Sequence, residues 1–315
     1  MNKIMTAAAI AVGLIATGAS AQVVGIATSN PGSLFHNIGS AVANAANEAG
    51  LNTTIQPATS PNQFIPFVNS GGIEFGVANL QEVSYAINGD AWWNGVKSAD
   101  LRIVGMLMPL REAIFVRADS DIKTLTDLKG KAMTDGFTAQ NTILPQLEAI
   151  YATAGMSRAD MTPVNVPSVV AGADAFIAGD AIGFIFAHGA GKVREADASV
   201  GGLRALPVAD ASEAGLAAAR AHWPTAFFGE MKAGSAPGVL EDAIYIAFPQ
   251  VIFTHKGVSD DVVHAMAKAI HEGKAAMVST FKPFGGFNPA DMMGDPGAAS
   301  FHPGALKYFA EVGLK

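Results

Sequence analysis

The chain has 315 residues, half of them hydrophobic and 15% charged, with a formal net charge of −7 and no cysteine. This composition excludes an intrinsically disordered chain. An acidic balance with no Lys/Arg cluster excludes an electrostatic surface for nucleic acid or anionic membrane, and the lack of cysteine excludes thiol catalysis and thiolate metal sites. A chain of this length buries about 75% of its unfolded surface, enough for one large or two modest domains without cross-links.

Residues 1–21 read as a cleavable export signal. Lys3 supplies the positive start, Met5–Ala16 is uncharged and mostly apolar, and Ala19-Ser20-Ala21 places small residues before Gln22. The apolar stretch is shorter than the roughly 20 residues a membrane span needs, and no cysteine follows it to carry a lipid. The expectation is a periplasmic protein that begins near Gln22, with no stable membrane insertion.

From there short apolar strands alternate with helices. Val23–Ala27 reads as a strand, Leu34–Ala49 as a helix stopped by Gly50, and Thr53–Gln56 as a strand. Ser60-Pro61 starts a helix to Asn69, Phe75–Ala78 is a strand and Gln81–Asn88 a helix. Leu101–Leu107, Ala113–Arg117 and Ala132–Thr134 read as strands, followed by a helix over Asn141–Ala154. Pro163–Val166, Ile182–Phe186, Leu203–Leu206 and Ile244–Phe248 are further strands, with a helix at Val169–Ile177. Ser259 caps a long helix, and Gly304–Val312 forms the last one. Such alternation predicts an α/β fold of two blocks, each a mostly parallel sheet flanked by helices and joined by short strand-like crossovers. Ligands of such sheets bind beyond the carboxyl ends of the strands.

No G-x-S-x-G elbow, phosphate loop or H-E-x-x-H motif is present; Gly189-Ala190-Gly191-Lys192 and His271-Glu272 lack the partners those motifs need. His264 and His271 read as helix-surface histidines, and Trp92-Trp93 as a packed corner or a stacking platform. Two loops stand in matching places in the two blocks: Thr28-Ser29-Asn30-Pro31-Gly32-Ser33 and Thr138-Ala139-Gln140-Asn141-Thr142. Each leads from a strand into a helix and offers hydroxyl, amide and backbone donors with no charged group and no catalytic base. For either loop alone, helix capping and ligand binding are equal readings; the matched pair favours binding. Ser33 with His36 is the sole candidate nucleophile–base pair for a hydrolase. No metal site and no cofactor are expected.

Several segments resemble the TAXI family of TRAP-transporter solute receptors. Gly32-Ser33-Leu34-Phe35-His36-Asn37-Ile38-Gly39 is similar to the family's N-terminal segment. Phe75-Gly76-Val77-Ala78-Asn79-Leu80-Gln81 is similar to its strand and loop, followed by Tyr85-Ala86-Ile87-Asn88-Gly89. Leu125-Thr126-Asp127-Leu128-Lys129-Gly130-Lys131 and Phe301-His302-Pro303-Gly304-Ala305 complete the match. The resemblance implies a two-lobe, type II-like periplasmic-binding-protein clamshell, with residues 22–112 plus 252–315 in one lobe and 113–251 in the other. It implies a monomeric, non-enzymatic receptor that delivers a small anionic or zwitterionic solute, of the glutamate, 2-oxo acid or dicarboxylate class, to TRAP transporter membrane subunits. A sensor feeding a membrane signalling partner is the alternative. Carried over by position, ligand contacts fall on Ser29, Asn30, Ser33, Phe35, Asn79, Gln81, Thr138, Gln140, Asn141, Thr142 and His188, with Phe248 and Gln250 near a crossover. Phe137, where the family has glycine, is expected to shape the ligand site.

Overall fold

The computed structural model describes residues 23–315, so the expected export signal lies outside the described residues. The first sheet is built from β1 (Val23–Thr28), β2 (Asn52–Pro57), β3 (Phe75–Asn79) and β4 (Leu101–Met106). Helices α1 (Leu34–Glu48), α2 (Pro61–Asn69) and α3 (Leu80–Asn88) connect the first three strands and follow the third. The chain then enters a second sheet through β5 (Leu110–Arg117). This sheet continues with β6 (Ala132–Gly136), α4 (Ile143–Ala152), β7 (Thr162–Val166), α5 (Val169–Ala178), β8 (Gly183–Ala187) and α6 (Gly191–Val200). It is completed by β9 (Leu203–Leu206), α7 (Glu213–Arg220), β10 (Phe227–Met231) and β11 (Ala243–Phe248). After Pro249 the chain returns to the first sheet as β12 (Gln250–His255), and α8 (Asp260–Glu272), α9 (Lys274–Thr280) and α10 (Pro303–Val312) pack beside it.

The strand order is β2-β1-β3-β12-β4 in the five-stranded sheet and β10-β11-β5-β8-β6-β7 in the seven-stranded one, with β9 also on β5. Both sheets are mixed, which corrects the expectation of mostly parallel sheets. The cause is the crossing itself. A strand that arrives from the other sheet runs against its new neighbours: β12 is antiparallel to β3 and β4, and β5 to β8, β9 and β11. The crossings also move slightly from the expected boundaries, because Leu110–Glu112 pair in the second sheet and Gln250 and Val251 in the first. Sequence periodicity misses α6, α7, α9, β10 and β12. The edge strand β10 is only partly covered, and α6 has a polar sequence with three buried side chains, Lys192, Val193 and Ala196.

What fixes the loops at the strand ends is the packing of the helix that follows each of them. In α1 the stripe Leu34, Ile38, Val42 and Ala45 is buried, and Ser33 Oγ caps the helix by accepting the His36 N–H at 3.1 Å. Gly39 lies on the same helix against β1, where an added Cβ would sit 2.3 Å from Thr28 Cγ2. Gly39→Val should therefore overpack this contact and cost about 1–3 kcal/mol, read as a lower urea midpoint at unchanged slope; an unchanged midpoint would show that the contact yields freely. At the far end, His264 meets Glu311 at 2.8 Å and His271 Nδ1 meets Tyr308 Oη at 2.9 Å. Both histidines thus join α8 to α10. Trp92 packs edge-on against Tyr85 at 5.5 Å, a packed corner.

Candidate functional site

The carboxyl ends of β1, β3, β6 and β8 face one another across the gap between the sheets. A narrow cavity, partly open to solvent, lies there. The first sheet and its helices contribute Ser29, Ser33, Leu34, Phe35, Asn79 and Glu82. The second contributes Leu110, Glu112, Gln140, Thr142, Ile143, Gln146, Val169, Phe186 and Ala187. Contacts from one side to the other bracket it: the Lys192 N–H donates to the Gly32 carbonyl at 3.2 Å, and Tyr85 meets Trp223 edge-on at 6.1 Å.

Six of the residues expected at the site line this cavity: Ser29, Ser33, Phe35, Asn79, Gln140 and Thr142. Five do not. Thr138 and Asn141 are exposed on the outer side of their loop. Asn30 uses its carbonyl to close the turn onto the Ser33 N–H at 3.0 Å. Gln81 is buried outside the cavity, and His188 lines a different one. The 135–142 loop turns outward because Gly136 and Phe137 both have positive φ, +82° and +37°. Phe137 is fully buried in the core and does not line the cavity, so it shapes the loop and not the ligand site.

Among the six, the polar groups are partly committed. Gln140 Oε1 accepts the Val169 N–H at 3.1 Å, which fixes the start of α5. Asn79 Oδ1 accepts from Gln250 Nε2, its register partner on β12, so Gln250 acts on the site through Asn79. Ser33 Oγ is the α1 cap, accepting the His36 backbone N–H. The His36 Nδ1 has no partner among the described residues, and no Ser33–His36 side-chain hydrogen bond forms.

The sequence reading missed the two groups that dominate the cavity's electrostatics, Glu82 and Glu112. Glu82 is 1% exposed; its Oε2 accepts the Asn79 N–H at 2.9 Å at the start of α3. Glu112 is 4% exposed on β5. Burial pushes the Glu82 carboxyl up to about 7, against the opposing pull of the Asn79 N–H and the nearby Thr142 and Asn79 side chains. Burial and the neighbouring Glu82 push Glu112 up to about 8. No Lys, Arg or His side chain lines the cavity among the described residues. Glu82 follows Asn79 by three residues, a spacing that reads as helix capping. Glu112 is one acidic residue inside an apolar strand, and that was the available signal.

Ser29 Oγ and Glu112 Oε2 of this lining are buried without a hydrogen-bond partner among the described residues; Glu82 Oε1 and Thr142 Oγ1 also lack a bond of good geometry, although Thr142 stands close enough to Glu82 to act on its carboxyl. Native proteins satisfy nearly all such groups, and each orphan costs about 1–3 kcal/mol. These polar groups are gathered along one cavity whose apolar walls come from Leu34, Phe35, Ile143 and Phe186.

The fold is that of the two-lobe periplasmic binding proteins. The structure is similar to the periplasmic binding protein BugD, with a TM-score of 0.60 and 11% identity over 93% of this chain and 98% of that one. It is similar to a periplasmic transporter structure (0.55, 12%, 92% and 92%) and to a protein from Bordetella bronchiseptica RB50 (0.51, 11%, 92% and 98%). The chain belongs to the NMT1-like family, which it matches over residues 26–313.

Proposed function

We propose that this protein is a periplasmic solute receptor that captures a small zwitterion or amine, an amino acid foremost, between its lobes and presents the closed form to a TRAP-type membrane transporter. The observation that carries this reading is the pair of buried glutamates, with orphaned oxygens, in a cavity free of basic side chains among the described residues. Near neutral pH, Glu112 holds its proton and can donate, while Glu82 is poised to ionise and accept. A ligand ammonium on the glutamate pair, and a carboxylate on the Ser29 hydroxyl, would give these buried groups charge-assisted bonds. Within the solute classes the sequence suggests, this favours an amino acid over a dicarboxylate, whose charges would meet the glutamates unpaired.

A binding role is further supported by the fold's two crossovers, at residues 107–109 and at Pro249, about which two lobes can hinge. Closure then acts as a population shift: ligand contacts from both lobes exist together only in the closed form. The export signal expected at residues 1–21 fits this role.

The test is a thermal-shift screen of amino acids, amines and organic acids. An amino-group compound at a hundred times its Kd should stabilise the protein by about 2.7 kcal/mol, and the effect should vanish in the Glu82→Gln/Glu112→Gln variant. Stabilisation by no amino compound, or equal stabilisation of that variant, would overturn the reading.

A further inference from the structure

A second cavity, of about 930 Å³ counted to its mouth, opens beside β5, lined by Arg111, His188, Lys282, Lys232, the carboxylate Glu230 and Met108 among others. Its lining also comes from both lobes, Lys282 and Pro283 from the first and Arg111 and His188 from the second, but it shares no lining residue with the glutamate cavity. The two are nonetheless built on the same two strands. Glu112 pairs with Ala187, and both line the glutamate cavity. One residue away, the His188 N–H donates to the Arg111 carbonyl at 2.8 Å, and both those residues line the second cavity. Successive residues of a strand point to opposite faces, so β5 serves an acidic site with one residue and a basic one with the next.

Arg111 is half-buried and forms no ion pair among the described residues; its Nε is buried without an acceptor. Its guanidinium stem lies against Gly229 on β10, where an added Cβ would come within 2.9 Å of Nε, so the glycine keeps this position open. His188 is 6% exposed, and both its ring nitrogens are buried without partners among the described residues. The ring is held by Phe115 at 5.1 Å and Tyr245 at 4.5 Å, both edge-on. Burial, then the Arg111 charge, lowers its pKa to about 3, so it is a neutral ring with one N–H to donate. Lys282 stands exposed at the mouth with no ion pair among the described residues, whereas Lys232 is held by Glu230 and Asp242. Partial burial makes the Arg111 charge costly without a counter-charge, and a guanidinium fork fits the two oxygens of an oxyanion.

We infer that Arg111, His188 and Lys282 form a second binding site, for a small molecule bearing a carboxylate or a similar oxyanion. It stands on these groups alone and does not depend on what the glutamate cavity holds.

The test is calorimetric titration with sodium malonate at constant ionic strength and pH 7.5, with the His188 ring protons followed by NMR. Malonate should bind saturably and shift the His188 signals. Arg111→Gln should weaken binding about tenfold or more, and Lys282→Gln, an exposed change that leaves the fold intact, about two- to fivefold. Glu82→Gln, which alters only the glutamate cavity, should bind malonate as the wild type does. The absence of saturable binding would overturn the proposal. So would wild-type affinity in both basic-residue variants, or loss confined to Glu82→Gln, which would place the anion in the glutamate cavity. Should Arg111→Gln fail to fold, Lys282→Gln and the His188 signals decide.

Discussion

Replacing Glu82 and Glu112 together with glutamine should abolish measurable binding of an amino-group solute, and either single replacement should weaken it about 10- to 100-fold at pH 8. Glutamine keeps the volume of the side chain and, at position 82, an oxygen able to accept the Asn79 N–H that Glu82 now accepts at 2.9 Å. The substitution therefore tests charge and not packing. The sign of the pH dependence follows from the direction of the shifts. Burial holds Glu82 protonated up to about 7 and Glu112 up to about 8. Below these values the ammonium meets two neutral acids, between them one carboxylate, and above both two. Wild-type affinity should rise between pH 6 and 8.5, as the coupled pair loses its protons in two steps that belong to the pair. The double variant should show no such rise. Calorimetry at pH 6, 7.25 and 8.5 measures this directly. An affinity that falls with pH would mean that the protonated acids donate to an anionic ligand, and the zwitterion reading would be lost.

The two donor loops and the strands that lead into them were legible because their signals are local. Ser33 is a helix cap by residue type and position, and Pro61 opens a helix in the same way. What the sequence hid is what a sheet decides at long range. Glu112 becomes a site residue because β5, having crossed between lobes, sets it opposite Ala187 at the carboxyl end of β8. His188 was expected beside the ligand because it follows that same strand end, but the alternation of a strand puts Ala187 on the cavity and His188 on the other one. Asn141 and Thr138 have the right chemistry in the right loop, and the two successive positive-φ residues Gly136 and Phe137 turn them outward. A left-handed phenylalanine is uncommon, and nothing in the local sequence announces it; its full burial in the core holds it there. The mixed sheets have the same origin as the glutamate: both follow from strands that leave one sheet and enter another.

The same two glutamates imply a dependence of stability on pH in the unliganded protein. A carboxyl whose folded pKa is raised stabilises the fold fully below its unfolded value, near 4.5, and loses that contribution as pH rises through the folded value. For Glu82 and Glu112 the window runs from about 4.5 to about 7 and about 8. Buried neutral histidines act oppositely. Burial lowers His188, His36 and His302 below 6.5, so the unfolded chain binds more protons than the folded one and stability rises with pH up to about that value. Between pH 4.5 and 6.5 the two sets offset each other, and above 6.5 the glutamates act without that opposition. Unfolding free energy should therefore be greatest near pH 6.5 and fall by on the order of 2–3 kcal/mol by pH 8.5, at about 1.4 kcal/mol per proton per pH unit. In the Glu82→Gln/Glu112→Gln variant this decline should disappear, leaving a protein more stable than the wild type at pH 8.5 and unable to hold its solute. Urea titrations at pH 6.5, 7.5 and 8.5 read both slopes. A wild type that stays flat across that range would mean that the two carboxyls ionise in the folded state as they do in water. The buried acidic pair would then be no source of strain for a ligand to relieve.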